Sequence, residues 1–152
     1  MEAQTFYRQC LQDVKLMQLA TCQDNKPWLC NVWFVADGED TIYWMSRKIR
    51  RHSEDIAANP QASCTFHKWF EGGFGEKGQA LVMAGKAELV PEEKVADVYD
   101  LYTGRHPHLK NVQSKEKFQT AEEPHFLYQL TPDEIVWFDE INFPDDPRKV
   151  LK

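Results

Sequence analysis

The sequence predicts a mainly β fold with flanking helices: an antiparallel barrel of about six strands, with helices packed at its ends. Three observations predict it. Strand-length apolar runs recur along the chain and are joined by short polar turns. Helical patterns are few and do not follow every strand. Parallel strands need crossovers of about a dozen residues, which turns this short cannot supply.

The elements follow in order. Thr5 to Leu16 reads as an opening amphipathic helix, with Phe6, Cys10, Val14 and Met17 near helical spacing. Two strands, 17–22 and 28–35, flank the polar turn Gln23-Asp24-Asn25-Lys26. A second turn, Asp37-Gly38-Glu39-Asp40, leads to a strand over 41–45. The basic segment Ser46-Arg47-Lys48-Ile49-Arg50-Arg51-His52 then opens a helical stretch that ends at Asn59-Pro60, ahead of a strand over 62–66. Residues 79–90 form a long strand whose first half is apolar on both faces. Pro91-Glu92-Glu93 starts a helix, with proline in the first turn and acids near its positive end. Val95, Val98, Tyr99 and Tyr102 give that helix its apolar face, and Gly104 is its expected terminator. Residues 105–123 are polar and expected to be irregular or partly helical. The last strands, 126–130 and 135–138, are separated by a turn at Thr131-Pro132-Asp133-Glu134.

Composition bounds the function. The 152 residues are 42% hydrophobic and include five tryptophans, nine phenylalanines and five tyrosines. That is a packed globule, expected to be one domain over residues 1–152. No apolar run is long enough to span a bilayer, and the N-terminus lacks a signal-peptide pattern, so a cytoplasmic protein without a membrane partner is expected. The net charge of −6 disfavours nucleic-acid binding, which needs collected lysine and arginine. Cys10, Cys22, Cys30 and Cys64 form no CxxC pair, which predicts reduced thiols and no metal site. Against this acidic background, Arg47, Lys48, Arg50 and Arg51 are concentrated between a strand and a helix. That is where a small phosphate is readily held.

Other motifs carry less. Gly73-Phe74-Gly75-Glu76-Lys77-Gly78 matches GxGxxG, but the fingerprint requires a following helix and Gln79-Ala80-Leu81-Val82-Met83 reads as a strand. A hairpin connection is the consistent reading. His106-Pro107-His108 has no third ligand at a useful spacing and reads as a polar loop. No nucleophile elbow, P-loop or carboxylate pair supports hydrolysis. Core packing is the default reading of Trp28, Trp33, Tyr43, Trp44 and Trp69, and the walls of a planar cofactor's cleft would want the same lining.

Leu19-Ala20-Thr21, Pro27-Trp28-Leu29-Cys30-Asn31-Val32-Trp33-Phe34 and Ile42-Tyr43-Trp44-Met45-Ser46 carry a resemblance. So do Arg51-His52, Ile56-Ala57-Ala58-Asn59-Pro60-Gln61-Ala62-Ser63 and Gly85-Lys86-Ala87-Glu88-Leu89-Val90. Over these residues the chain resembles the pyridoxamine-phosphate-oxidase-like, FMN-binding split-barrel superfamily. The Arg-His pair and the ending Glu134-Ile135-Val136-Trp137-Phe138 are most similar to small bacterial members. The resemblance implies a homodimer of six-stranded split barrels with FMN in clefts between subunits. It maps the flavin-facing strand onto Cys30, Asn31, Val32 and Trp33, and the phosphate segment onto Ser46, Lys48, Arg51 and His52. An arginine fork, a hydroxyl and helix amides suit a phosphate, and a phosphate beside His52 would favour its protonated form.

Departures from the pattern matter too. Family members commonly carry a serine- or threonine-lysine pair where Arg51-His52 align. The arginine-rich C-terminal signature of true pyridoxamine phosphate oxidases is missing, so the vitamin B6 reaction is not favoured. The leading expectation is an FMN-dependent oxidoreductase or flavin reductase, with no catalytic residue assigned because no side chain stands out as acid or base. The alternative is a non-enzymatic, stress-associated protein holding flavin or haem in the same cleft, with His52, His67 or His125 as axial ligand. A third reading is a barrel without cofactor that serves as a dimeric interaction module. Exposed aromatics at Trp69, Phe70 and Phe74 around the 72–78 insertion would be better buried by a second subunit.

Overall fold

The structure, a computed structural model, describes residues 2–68, 70–111, 114–120 and 124–152. Helix α1 (Glu2–Asp13) precedes β1 (Leu16–Gln23), β2 (Lys26–Ala36) and β3 (Ile42–Arg47). Helix α2 (Arg51–Ala58), β4 (Gln61–His67) and β5 (Gln79–Leu89) follow. Helix α3 (Val95–Arg105), β6 (His125–Asp139) and β7 (Arg148–Val150) complete the chain. Neighbouring strands run in the order β3-β2-β1-β4-β5-β6, and β3 also pairs with β6. All these pairings are antiparallel, so six strands close a barrel and β7 extends β6 outside it.

Local chemistry explains the strand joints. Asp24 and Asn25 both have positive φ, 51° and 57°, which is what a two-residue hairpin turn needs and what these side chains tolerate. At the next turn the Asp37 carboxylate accepts the N–H groups of Glu39 and Thr41 at 2.9 and 3.0 Å. Inward residues of alternate strand positions fill the barrel: Met17 and Leu19, Phe34, Trp44, Phe66, Leu81 and Met83, Leu130 and Trp137 are all fully buried. A second cluster forms outside, where Val98, Tyr99 and Tyr102 of α3 pack on Val35, Tyr43 and Leu127.

Three expectations are corrected. The opening helix ends at Asp13, because Leu16 already pairs with Trp33 as the first rung of β1. The expected turn at Thr131–Glu134 is a bulge within one continuous strand, β6. Opposite it the register jumps from Ala84↔Glu134 to Gly85↔Pro132, leaving Asp133 as the extra residue. Proline lacks a ladder N–H, and the bulge is where a strand can hold one. A Cβ on Gly85 would lie 2.2 Å from the Thr131 carbonyl oxygen, so only glycine fits opposite. The third correction is β7, which the sequence reading does not contain. The 73–78 glycines do form a connection into β5, with Gly73 and Gly75 at positive φ. Trp69 lies outside the described residues.

Candidate functional site

The basic corner is built where β3 ends against the start of α2. Arg50 holds an extended conformation ahead of the helix, and no side chain caps it. Its carbonyl accepts the N–H groups of Ser53 and Glu54 at 2.9 and 3.0 Å. The first amides of α2 therefore have no side-chain acceptor from the cap position, at the end where a helix favours anions.

His52, the second residue of α2, ties three elements together. Its Nδ1 is 3.5 Å from the Cys30 sulfur on β2, and its Nε2 is 2.7 Å from the Ser46 hydroxyl on β3. The Ser53 hydroxyl donates to the same Ser46 oxygen at 3.1 Å. Burial holds the His52 imidazole below its usual value, Arg50 pushes the same way, and Asp55 partly offsets them. Burial and the Asp55 charge raise the Cys30 thiol, which keeps it protonated and able to donate. A neutral imidazole has one lone pair and one N–H, so His52 donates to one of Cys30 and Ser46 and accepts from the other. Beneath it, the Thr21 hydroxyl donates to the buried Asp55 carboxylate at 2.7 Å.

Around this braced centre stand the cations. The Arg51 guanidinium lies 4.3 Å over the Trp28 ring, and the Lys48 ammonium 4.2 Å over the Phe126 ring. Arg47 is half-buried with its Nε enclosed and without a hydrogen-bond partner. An enclosed guanidinium nitrogen with no partner is costly unless something supplies an acceptor. The resemblance assigned its neighbours Ser46 and Lys48 to the phosphate and left Arg47 only as a member of the cation run. Its position inside the cation run was the available signal, but orphaned burial appears only in three dimensions.

The expected residues thus divide. Cys30, Ser46 and His52 form one bonded chain, and Arg51 flanks it on the Trp28 side. Lys48 turns toward Phe126 and lines a cavity of about 470 Å³ with Ser53, Lys86 and Tyr128. On β2, Val32 faces inward and is half-buried, whereas Asn31 and Trp33 face outward. Asn31 accepts a hydrogen bond from Gln18 Nε2 at 2.9 Å. Trp33 is 54% exposed at the far end of the strand from the cations. No group of three or more His, Cys, Asp or Glu capable of holding a metal occurs among the described residues.

Comparison with known proteins adds a family and a fold. Residues 3–136 match the family described as pyridoxamine 5'-phosphate oxidase. Against curated proteins the sequence finds no match. A haem-binding protein from Mycobacterium smegmatis shares the fold at TM-score 0.79 and 14% identity, over 99% of this chain and 57% of that one. This chain thus spans little more than half the length of the mycobacterial protein. A FAD-binding protein from Mesorhizobium loti is similar at TM-score 0.65 and 16% identity, over 84% of this chain and 88% of the other. The haem storage protein of Vibrio cholerae is similar at TM-score 0.66 and 18% identity, over 89% and 94% of the two chains. At such identities the likeness speaks for the fold alone.

Proposed function

This chain belongs to the pyridoxamine 5'-phosphate oxidase family, and on that premise we propose that it is an FMN-binding oxidoreductase whose cofactor phosphate is held at the β3–α2 corner. The observation that carries the reading is the enclosed, partnerless Nε of Arg47. A phosphate dianion would balance the charge of this guanidinium, and the flanking Lys48 and Arg51 supply further charge. His52 acts as a brace. Both its ring nitrogens are engaged within the protein, and it fixes Ser46 beside Arg47. Bound FMN supplies hydride and electron transfer; the chain's own contribution is orientation, apolar walls and charge.

A homodimer goes with this reading. The outward face of β2 presents Leu29 and Trp33, 63% and 54% exposed, beside Leu16 of β1. Apolar side chains of that size on one sheet face are suited to burial against a second copy, which would also close the cleft. Phe74 is fully exposed at the tip of the β4–β5 connection, whereas Phe70 is half-buried with its ring against His67. Four free cysteines and the absence of any helix long and apolar enough to cross a membrane, among the described residues, are consistent with a cytoplasmic site of action.

The test is the visible spectrum after incubation with FMN and gel filtration. A flavin double band eluting with a dimer supports the reading, and its loss in Arg47→Met ties it to this corner. A colourless protein that refuses FMN overturns it. The second reading, haem in the same cleft, is favoured by the two haem proteins that share the fold. A Soret band on haem addition without flavin uptake would select it.

A further inference from the structure

The other end of β2 opens onto a cavity of about 440 Å³, within the size range of small-molecule sites. Trp33 lines it together with Tyr102 of α3 and with His106 and Leu109 beyond the end of that helix. These walls are held in place. The Tyr102 hydroxyl donates to the Trp33 carbonyl at 3.1 Å, and His106 Nε2 donates to the Phe34 carbonyl at 2.8 Å. The His106 ring meets the Trp33 ring edge-on at 5.8 Å between centroids and the Tyr102 ring at 4.8 Å.

Charge in this cavity has one sign. Lys15 and Arg105 line it, and none of its lining residues is acidic. Arg105 is already engaged, its Nη2 donating to the carbonyls of Leu11, Gln12 and Val14 at the end of α1. The Lys15 ammonium has no hydrogen bond or ion pair among the described residues. Asp13, two positions earlier, is neutralised by Lys68 at 2.6 Å. Burial lowers the His106 imidazole; the Phe34 carbonyl opposes that, while Arg105 and Lys15 add to it. The ring is therefore neutral near pH 7, with Nδ1 left as an acceptor.

We propose that this cavity is the binding site for the flavin's reaction partner, a planar aromatic monoanion whose ring packs against Trp33 and His106 and whose charge is met by Lys15. That the ligand is a reaction partner rests on the flavin reading, because Trp33 ends the strand assigned to the cofactor. The binding site itself stands on the aromatic walls and the single available cation. Flat apolar walls select a planar ring. A lone ammonium at the rim of an otherwise apolar cavity selects one negative charge over none.

The test uses 2-naphthoate, the neutral 2-naphthamide and the non-planar decahydro-2-naphthoate, titrated into the full chain by calorimetry with and without FMN. Naphthoate is expected to bind at least tenfold tighter than either comparison ligand. Lys15→Met should reduce naphthoate to the level of the amide, Lys15→Arg should preserve the preference, and Trp33→Ala should weaken both aromatic probes. Equal affinity for all three probes, or a preference unmoved by Lys15→Met, would overturn the proposal. Naphthoate selectivity in a protein that refuses FMN would keep the site and defeat the flavin reading. FMN retention without probe selectivity would do the reverse.

Discussion

Two histidines packed at different points along β2, His52 at Cys30 and His106 at Phe34, stand in contrasting surroundings. His52 and His106 are both partly buried and both held below their usual pKa, in each case by burial first. Yet His52 is fixed by side chains, Cys30 and Ser46, among a run of cations, while His106 is fixed by a backbone carbonyl among aromatic rings. The first arrangement suits a phosphate, and the second a flat aromatic ring carrying one negative charge. Separating them along the strand keeps the run of cations at residues 47–51 apart from a cavity lined by only two, Lys15 and Arg105.

The largest expected effect removes the comparison altogether. Gly85→Val forces a side chain into the Thr131–Pro132 backbone and should cost about 3 kcal/mol or more, since the barrel cannot close around it. Urea unfolding would read this, and both ligand sites should weaken together. Loss of one site with the other intact would mean that the corners do not depend on the shared barrel.

Next is Arg47→Met, which should separate the two ends. FMN affinity is expected to fall about a hundredfold, the upper range for a charge-assisted hydrogen bond. Naphthoate affinity should stay within about twofold, because a lost phosphate contact acts only at its own end of the strand. Stability should hold or rise, because the variant removes an enclosed nitrogen without a partner. A destabilised Arg47→Met would instead make that arginine structural.

A finer contrast is available by NMR titration of the two imidazoles. Each should titrate below 6.5, the ordinary histidine value. FMN should raise His52, which faces Arg50 and Asp55, and leave His106 unchanged. Naphthoate should raise His106, which faces Arg105 and Lys15, and leave His52 unchanged. The sign for stability follows. Because both folded values lie below the unfolded one, the unfolded chain binds more protons as pH falls through 6.5. Their contribution is complete above that pH and is lost on acidification, so the urea midpoint should be lower at pH 5 than at pH 7. Replacing both histidines by asparagine should flatten that slope.

The smallest effect is Tyr102→Phe. Losing its hydrogen bond to the Trp33 carbonyl should cost about 1 kcal/mol in urea unfolding. It should weaken naphthoate a few-fold and leave FMN untouched. If FMN falls instead, the two ends of β2 are mechanically coupled.

Much of the fold was legible before any coordinates. The alternating runs and the Asp24-Asn25 turn dictate an antiparallel meander, because side-chain period and left-handed turn residues are local properties. The cation run and the Cys30–Trp33 strand are likewise local in the sequence, so a basic corner between β3 and α2 could be anticipated. What could not be read was which of these residues meet. Thr131-Pro132-Asp133-Glu134 has a turn's composition, and only pairing with Gly85 makes it a bulge in one strand.

The sequence by itself therefore determined the class of fold, the succession of strands along the chain up to β5 and a concentrated positive charge. Each of these depends on neighbours in the chain. Tertiary structure decided that Arg47 is the enclosed cation and that Cys30, His52 and Ser46 form one bonded chain across β2, α2 and β3. It also decided that Lys15, Trp33 and His106 enclose a cavity. Burial and convergence are properties of closing the barrel, which brings distant residues to one place and strips their water away.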